Sequence, residues 1–262
     1  MSTATELGRS WRLTRPTGHG SWHTPLVIGH RGSSARAPEN SVEAFRRAGV
    51  DGADGVELDV LACATGEIVV FHDDDLRRLA GRHERIADLP LSDIRDIALL
   101  SGARIPTLAE ALAACGVELL VNIELKSSRV FDAAVPALVE RVSETVDHAG
   151  AAARVLVSSF NPLAVRAWSR WRPDVKAALL FERAGLAAAW KPWTLPWLHP
   201  FAAHPHESLC QARAIDHWHR AGYAVNTWTV DDPVRLRALR DAGIDGIVTN
   251  DPGAARAALE SR

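Results

Sequence analysis

Two short stretches of this sequence carry carboxylates at the spacing of a shared strand face. In Glu57-Leu58-Asp59 the acids lie two residues apart, and alternate residues of a strand point the same way. Asn122-Ile123-Glu124-Leu125-Lys126 repeats the pattern, sending Asn122, Glu124 and Lys126 to one side and Ile123 and Leu125 to the other. Like charges this close are unfavourable unless a cation neutralises them. Glu57, Asp59 and Glu124 together make a hard, oxygen-rich site suited to Mg²⁺ or Ca²⁺ rather than zinc. The competing reading is a purely structural one, with the acids ion-paired to Arg31, Lys126 and other cations in a polar interior. His30 and His72 each follow an apolar run, so each should emerge at a strand end. Imidazoles titrate near pH ~6.5, and a pair beside a carboxylate cluster points to acid–base work.

These residues need strands to hold them. Leu26 to Gly29 reads as the first strand, running into His30-Arg31-Gly32. Asn40 is placed to cap a helix with Glu43 in the capping-box position, and Gly49 to stop it. Gly55 to Val60 is the second strand. Only about seven residues separate it from Ile68-Val69-Val70-Phe71-His72, too few for a parallel crossover, so a hairpin is expected. With Thr65-Gly66 as a two-residue turn, Asp59 falls opposite His72, within cross-strand reach. Residues 73 to 105 read as an irregular insertion with a helical piece near Leu91 to Leu100. Thr107 and Glu110 form a second capping box.

A strand–helix rhythm then returns, with strands near Glu118 to Leu125, Val155 to Ser158, Val175 to Phe181, Phe201 to His204, Ala224 to Thr229 and Gly246 to Thr249. Short apolar strands alternating with helices favour an α/β fold closed as a TIM (β/α)8 barrel, with the hairpin and the small insertion after its second strand. An open doubly wound sheet is the alternative, weakened because no glycine-rich nucleotide fingerprint follows any strand.

At 262 residues, 47% hydrophobic and 24% charged, the chain can bury one large core, and no linker-like composition divides it. A single domain is expected over 26–262, after an irregular leader at 1–25. A net charge of −2 offers no surplus for a nucleic-acid backbone, and no apolar run approaches the ~20 residues that cross a bilayer. Cys63, Cys115 and Cys210, odd in number and widely spaced, form no disulfide framework and fit a reducing cytoplasm. Trp190, Trp193 and Trp197 lie in WKPWTLPW, where packing in the barrel shell or at a subunit contact competes with peripheral contact to a lipid surface. The histidines from His199 to His219 read as loop, strand-end and surface residues, with His204 the one expected at the barrel mouth.

The motifs GHRG, PENSVEAFRRAGVDGADGVELDV, EIVVFHDDDL, IPTLAEAL, VNIELK, VLVSSFNP, VNTWTVDD and GIDGIVTNDP, in that order, resemble the glycerophosphodiester phosphodiesterase family over about Val27 to Pro252. The resemblance implies a TIM-type barrel, one divalent cation, and hydrolysis of a small-molecule glycerophosphodiester to glycerol 3-phosphate and an alcohol. It implies His30 and His72 as the acid–base pair and Glu57, Asp59 and Glu124 as metal ligands. Arg31 and Lys126 fall where the family places phosphate-contacting cations, Glu39 lies in a motif position near the metal, and Trp228 matches an aromatic that walls the substrate pocket. Similarity to related barrel phosphodiesterases further implies attack by the substrate's own glycerol 2-hydroxyl, giving a cyclic phosphate before water enters. Three positions depart from the pattern: the hairpin turn is Cys63-Ala64-Thr65-Gly66 and lacks its aspartate, the Arg-Thr-Thr run reads Arg78-Leu79-Ala80, and the final Thr-Asp is Thr249-Asn250. None removes a group from the expected chemistry. The alternatives are a lysophospholipase D-type phosphodiesterase, and a barrel that binds phosphodiesters without cleaving them.

Overall fold

Short runs rich in Val, Ile, Leu and Ala supply most of the strands, and each is fully or nearly fully buried. The strands are β1 (Leu26–His30), β2 (Gly55–Ala62), β3 (Ile68–Val70), β4 (Leu120–Leu125), β5 (Val155–Ser159), β6 (Lys176–Phe181), β7 (Ala202–Pro205), β8 (Ala224–Thr227) and β9 (Gly246–Thr249). The structure, a computed structural model, describes Trp11 and residues 24–127, 131–183 and 194–261. Leaving β3 aside, each strand pairs in parallel with the next, and β1 pairs with both β2 and β9, closing the ring. Eight parallel strands with surrounding helices make the expected TIM (β/α)8 barrel.

The helices are α1 (Val42–Val50), α2 (Arg77–Ala80), α3 (Leu91–Arg95), α4 (Leu108–Ala114), α5 (Val135–His148), α6 (Pro162–Trp171), α7 (Leu195–Leu198), α8 (Ala212–Arg220), α9 (Pro233–Asp241) and α10 (Pro252–Glu260). Alternation along the strands separates two environments. Val56, Leu58 and Val60 of β2 share the outer core with Phe45, Leu108 and Leu112 of the helices, while Glu57 and Asp59 point inward. A second apolar layer inside the barrel joins Ile28, Leu120, Leu156, Ala178, Ala202, Ala224 and Val248 to Trp11. Most of these come from the first halves of their strands, so the barrel is apolar toward its N-terminal end and its polar residues collect at the other. The Trp11 indole N–H donates to the Arg154 carbonyl at 2.9 Å, which ties this leader residue to the barrel.

The hairpin differs from expectation by one residue. Val60 faces Val70, Leu61 faces Val69 and Ala62 faces Ile68. The Cys63 N–H donates to the Glu67 carbonyl and the Gly66 N–H to the Cys63 carbonyl, so the loop is Ala64-Thr65-Gly66, with Gly66 at φ 92°. A type I turn followed by a left-handed glycine is the usual three-residue hairpin, and Thr-Gly is a poor two-residue turn because both positions need positive φ. Phe71, not His72, therefore lies opposite Asp59, its N–H donating to the Asp59 carbonyl at 3.0 Å. Strict alternation would turn His72 away, but β3 ends at Val70 and His72 still lines the inner cavity.

The α1 cap also moves. The Ser41 hydroxyl accepts from the Ala44 N–H, so Ser41 is the cap in place of Asn40, and the helix runs through Gly49 to Val50. Asn40 sits at φ 55° with its amide directed at Asp59. The Thr107 capping box forms as expected. The insertion after β3 is more ordered than its composition implies. It holds α2, a 3-10 turn at Ile86–Asp88 and α3, and it builds a core of its own from Val69, Phe71, Leu76, Ile86, Ile94, Ile97 and Leu99.

Candidate active site

The chain turns sharply at the end of β1, and this turn places the first histidine. A side chain at Gly29 would put its Cβ 2.7 Å from the Gly32 carbonyl oxygen, and Gly32 itself sits at φ 86° against the Ala44 backbone. Only glycine fits there. Arg31 takes φ 55°, so that its N–H donates to Glu57 Oε2 at 3.0 Å and its guanidinium lies over the acids.

Glu57, Asp59 and Glu124 converge: each offers a carboxylate oxygen, all within 4.8 Å of one another, and all three side chains are buried. The strand register explains this, since Asp59 of β2 faces Glu124 of β4 and Glu57 faces Asn122. Lys126 Nζ donates to Glu124 at 2.8 Å and lies 3.1 Å from Asp59, and Arg31 Nε lies 3.3 Å from Asp59. Asn40 donates to Asp59 at 2.8 Å. Burial, with Asp59 and Glu124 beside it, pushes the Glu57 carboxyl well above the usual range. At Asp59 burial acts in the same upward sense, but Lys126, His72 and Arg31 outweigh it and hold the group low.

This donor set fits a hard divalent cation. Glu57 Oε1 and Asn122 Oδ1 are buried with no hydrogen-bond partner. Such atoms are rare, and an ion or a water is their ordinary explanation. All the converging donors are oxygens, as Mg²⁺ and Ca²⁺ require.

Both histidines line the same cavity and present the same ring edge. Asn250 donates its Nδ2 to the Asp231 carboxylate at 2.6 Å, and its backbone N–H donates to the same carboxylate. A carboxylate only accepts, so Asn250 turns its Oδ1 to His30 Nδ1, 2.7 Å away. His30 therefore carries its proton on Nδ1 and leaves Nε2 open. His72 Nδ1 lies 2.6 Å from the Asp73 carboxylate, which fixes the same tautomer. Burial, Arg31 and His72 lower the His30 pKa below its ordinary value.

Among the remaining residues singled out in the sequence, Arg31, Lys126 and Trp228 line the cavity with Asn122, Phe160, Leu180, His204 and Val248. Trp228 donates to the His204 carbonyl at 2.9 Å and meets Phe160 and His206 edge-on. Glu39 stands beside the cavity, with its carboxylate held by Arg31 and Arg78. Trp197 is half exposed, with the Arg166 guanidinium 4.3 Å from its ring centre, and Trp190 and Trp193 lie outside the described residues. The histidine-rich stretch divides: His204 is buried at the cavity, and His219 meets Asp245 at 2.7 Å instead of facing solvent alone. Asn40, Asp73, Arg78 and Phe160 were not singled out for the site. The signals were present, since Asp73 directly follows His72 and Phe160 directly follows a strand.

His204 carries a stability prediction. Burial lowers its pKa from 6.5 to about 3, and its Nε2 sits 2.9 Å from Asn226 Nδ2. Between those values the unfolded chain takes up a proton that the folded chain refuses, so stability falls as pH drops below 6.5. The loss is about 1.4 kcal/mol per pH unit, or about 2 kcal/mol by pH 5. Urea unfolding at pH 7 and pH 5 should show His204→Gln losing less stability than the parent by roughly that amount. An identical acid dependence in the two proteins would place the proton elsewhere.

Three converging carboxylates and two imidazoles toward the C-terminal end of a TIM barrel stand where such barrels keep their active sites, and the fold and the comparisons define a phosphodiester hydrolase. Residues 30–254 match the model of the glycerophosphoryl diester phosphodiesterase family, and the chain belongs to that family and hydrolyses glycerophosphodiesters. A glycerophosphodiester phosphodiesterase of Caldanaerobacter subterraneus subsp. tengcongensis is 34% identical over 236 residues, covering 87% of this chain and 94% of its own. An Oleispira antarctica phosphodiesterase, solved in complex with the product sn-glycerol 3-phosphate, superposes with a TM-score of 0.79 at 26% identity, covering 91% of this chain and 98% of that one. A putative glycerophosphoryl diester phosphodiesterase from Silicibacter pomeroyi gives 0.83 at 25% identity, covering 92% and 94%. Among the described residues no helix is long and apolar enough to cross a membrane.

Proposed function

We propose that this chain, as one domain over 26–262, cleaves glycerophosphodiesters with small polar alcohols, such as glycerophosphocholine and glycerophosphoethanolamine, to glycerol 3-phosphate and the free alcohol. The observation that carries this reading is the facing of two tautomer-fixed imidazoles onto one buried carboxylate triad. Glu57, Asp59 and Glu124 would hold one Mg²⁺ or Ca²⁺. When bound, the ion supplies Lewis-acid stabilisation of the phosphoryl oxygens.

The protein's own groups do the rest. Arg31 and Lys126 line the cavity with positive charge and offset the charge that grows on phosphorus-bound oxygens in the transition state. His30, turned by a neutral amide and lowered by burial, is the base at its Nε2. It removes the proton from the attacking oxygen, either the glycerol 2-hydroxyl or water. His72, backed by a carboxylate, is the acid that protonates the departing alkoxide. Phe160, Leu180 and Trp228 close the apolar side of the cavity, and Trp228 walls the substrate. The three free, buried cysteines suit a reducing compartment such as the cytoplasm.

Incubation with a panel of glycerophosphodiesters and a lysophospholipid, with Mg²⁺ or Ca²⁺ and a readout of glycerol 3-phosphate or lysophosphatidate, tests the proposal. Release of glycerol 3-phosphate from the small diesters is expected, and turnover confined to the lysophospholipid would reassign the substrate. Tight binding without turnover of any diester would make the barrel a sensor or carrier.

A further inference from the structure

Arg78 is a half-exposed arginine on α2, the four-residue helix of the insertion, yet its guanidinium is fully engaged. Its Nε donates to Asp73 Oδ2 at 2.7 Å, and Nη1 and Nη2 donate to Glu39 Oε2 and Oε1, each at 2.7 Å. The two carboxylates it bridges each hold a member of the site. Asp73 Oδ1 accepts from the Nδ1–H of His72 at 2.6 Å, and Glu39 Oε1 accepts from Arg31 at 2.7 Å. One planar cation thus joins His72 to Arg31 through two carboxylates, Asp73 and Glu39.

We propose that Arg78 is a positioning residue for catalysis, through which the insertion fixes the ring of His72 and the guanidinium of Arg31 in one geometry. This rests on the proposed role of His72 as proton donor. Partly exposed ion pairs contribute little to stability, so three short bonds from one such side chain point to placement and not to holding the fold. The rigid fork of a guanidinium can bridge two carboxylates in fixed directions, which a lysine ammonium cannot. The backbone of α2 is itself fixed, because Leu76 just before it is fully buried in the insertion's own core and Leu79 packs against that core. Burial would raise the Asp73 carboxyl, but the hydrogen bonds from Arg78 and His72 hold it below its ordinary value, so it remains an acceptor for His72. The insertion is thereby a working part of the site and not a decoration of the barrel.

The test compares steady-state kinetics of Arg78→Ala, Asp73→Asn, their double variant and His72→Ala on glycerophosphocholine with saturating Mg²⁺. Arg78→Ala is expected to lower kcat about 10²-fold, the scale of a small misplacement of a catalytic group, with an unchanged circular dichroism spectrum. Asp73→Asn acts on the same link, so the double variant should lose no more than the worse single one. Added guanidinium, below denaturing concentration, should restore part of the Arg78→Ala rate and none of the His72→Ala rate. Arg82→Ala, which removes a guanidinium paired with Glu84, should leave kcat unchanged. If Arg78→Ala does not fold, Arg78→Lys is read in its place, and a parental kcat in either variant overturns the proposal. Multiplicative losses in the double variant overturn it as well. An active His72→Ala sinks the acid–base reading itself, whereas an inactive His72→Ala beside a fully active Arg78→Ala sinks only the positioning role.

Discussion

His72→Ala and His30→Ala are each expected to reduce turnover of glycerophosphocholine by about 10²–10⁴-fold, the contribution of a positioned acid or base, with the fold intact. Neither ring is needed to hold the barrel together. His72 lies past the end of β3 in a half-buried position, and His30 caps β1 at the cavity. The two should differ in what the pH profile loses. His30 must be neutral to accept a proton, and burial with Arg31 nearby moves its pKa down, so the acidic limb of kcat/KM belongs below pH 6.5. Asn250→Asp replaces the neutral amide at its Nδ1 with a carboxylate and should move that limb upward, because a negative neighbour favours the protonated ring. Stopped assays from pH 4.5 to 8 read this directly. A limb that stays put in Asn250→Asp would mean that His30 is not the base, and near-parental rates in either alanine variant would dissolve the pair.

Much of this site was legible because strand alternation is a local rule. Glu57 and Asp59 on one strand and Glu124 with Lys126 on another follow from a period of two, and the β2–β4 register then brings the two strands' acids level. The barrel followed from the same logic, since each strand–helix unit announces itself through its own apolar run and cap, as at Thr107 and Glu110. What resisted was set by geometry between segments. The hairpin register turned on whether Gly66 ends a two- or a three-residue loop, a difference of one residue marked in the sequence only by the weakness of Thr-Gly as a two-residue turn. His72 reached the cavity anyway because β3 stops two residues before it. Asn40 looked like a helix cap, which is a local role, while its actual partner, Asp59, comes from a different strand. Arg78 and Asp73 fall in motif positions, but in a stretch read as irregular, and their link to His72 and Arg31 appears only once the insertion folds back on the β1 loop.

The largest binding effect is expected at the acids. When ionised, Glu57, Asp59 and Glu124 would set three negative charges against two positive ones from Arg31 and Lys126, all in a buried volume where screening is weak. A divalent cation would remove that imbalance, so Asp59→Asn or Glu124→Gln should weaken Mg²⁺ and Ca²⁺ binding by calorimetry at least about 10–100-fold and abolish turnover, as chelation should do reversibly. Glu57 sharpens the test, because its two states pull in opposite directions. Burial and its acidic neighbours raise its carboxyl above the usual range, so the ion competes with a proton for it, and proton release on binding with affinity that tightens as pH rises is the expected outcome. Glu57→Gln cancels that proton release, seen by comparing buffers of different ionisation enthalpy. In chelated protein the same substitution removes the cost of placing this carboxyl in a buried acidic cluster and should raise the melting temperature, while shrinking the further rise that Mg²⁺ produces. A Glu57→Gln protein that melts lower than the parent without ions, and gains as much from Mg²⁺, would mean that the triad is an ordinary ion-pair network and that the cation, if any, binds elsewhere.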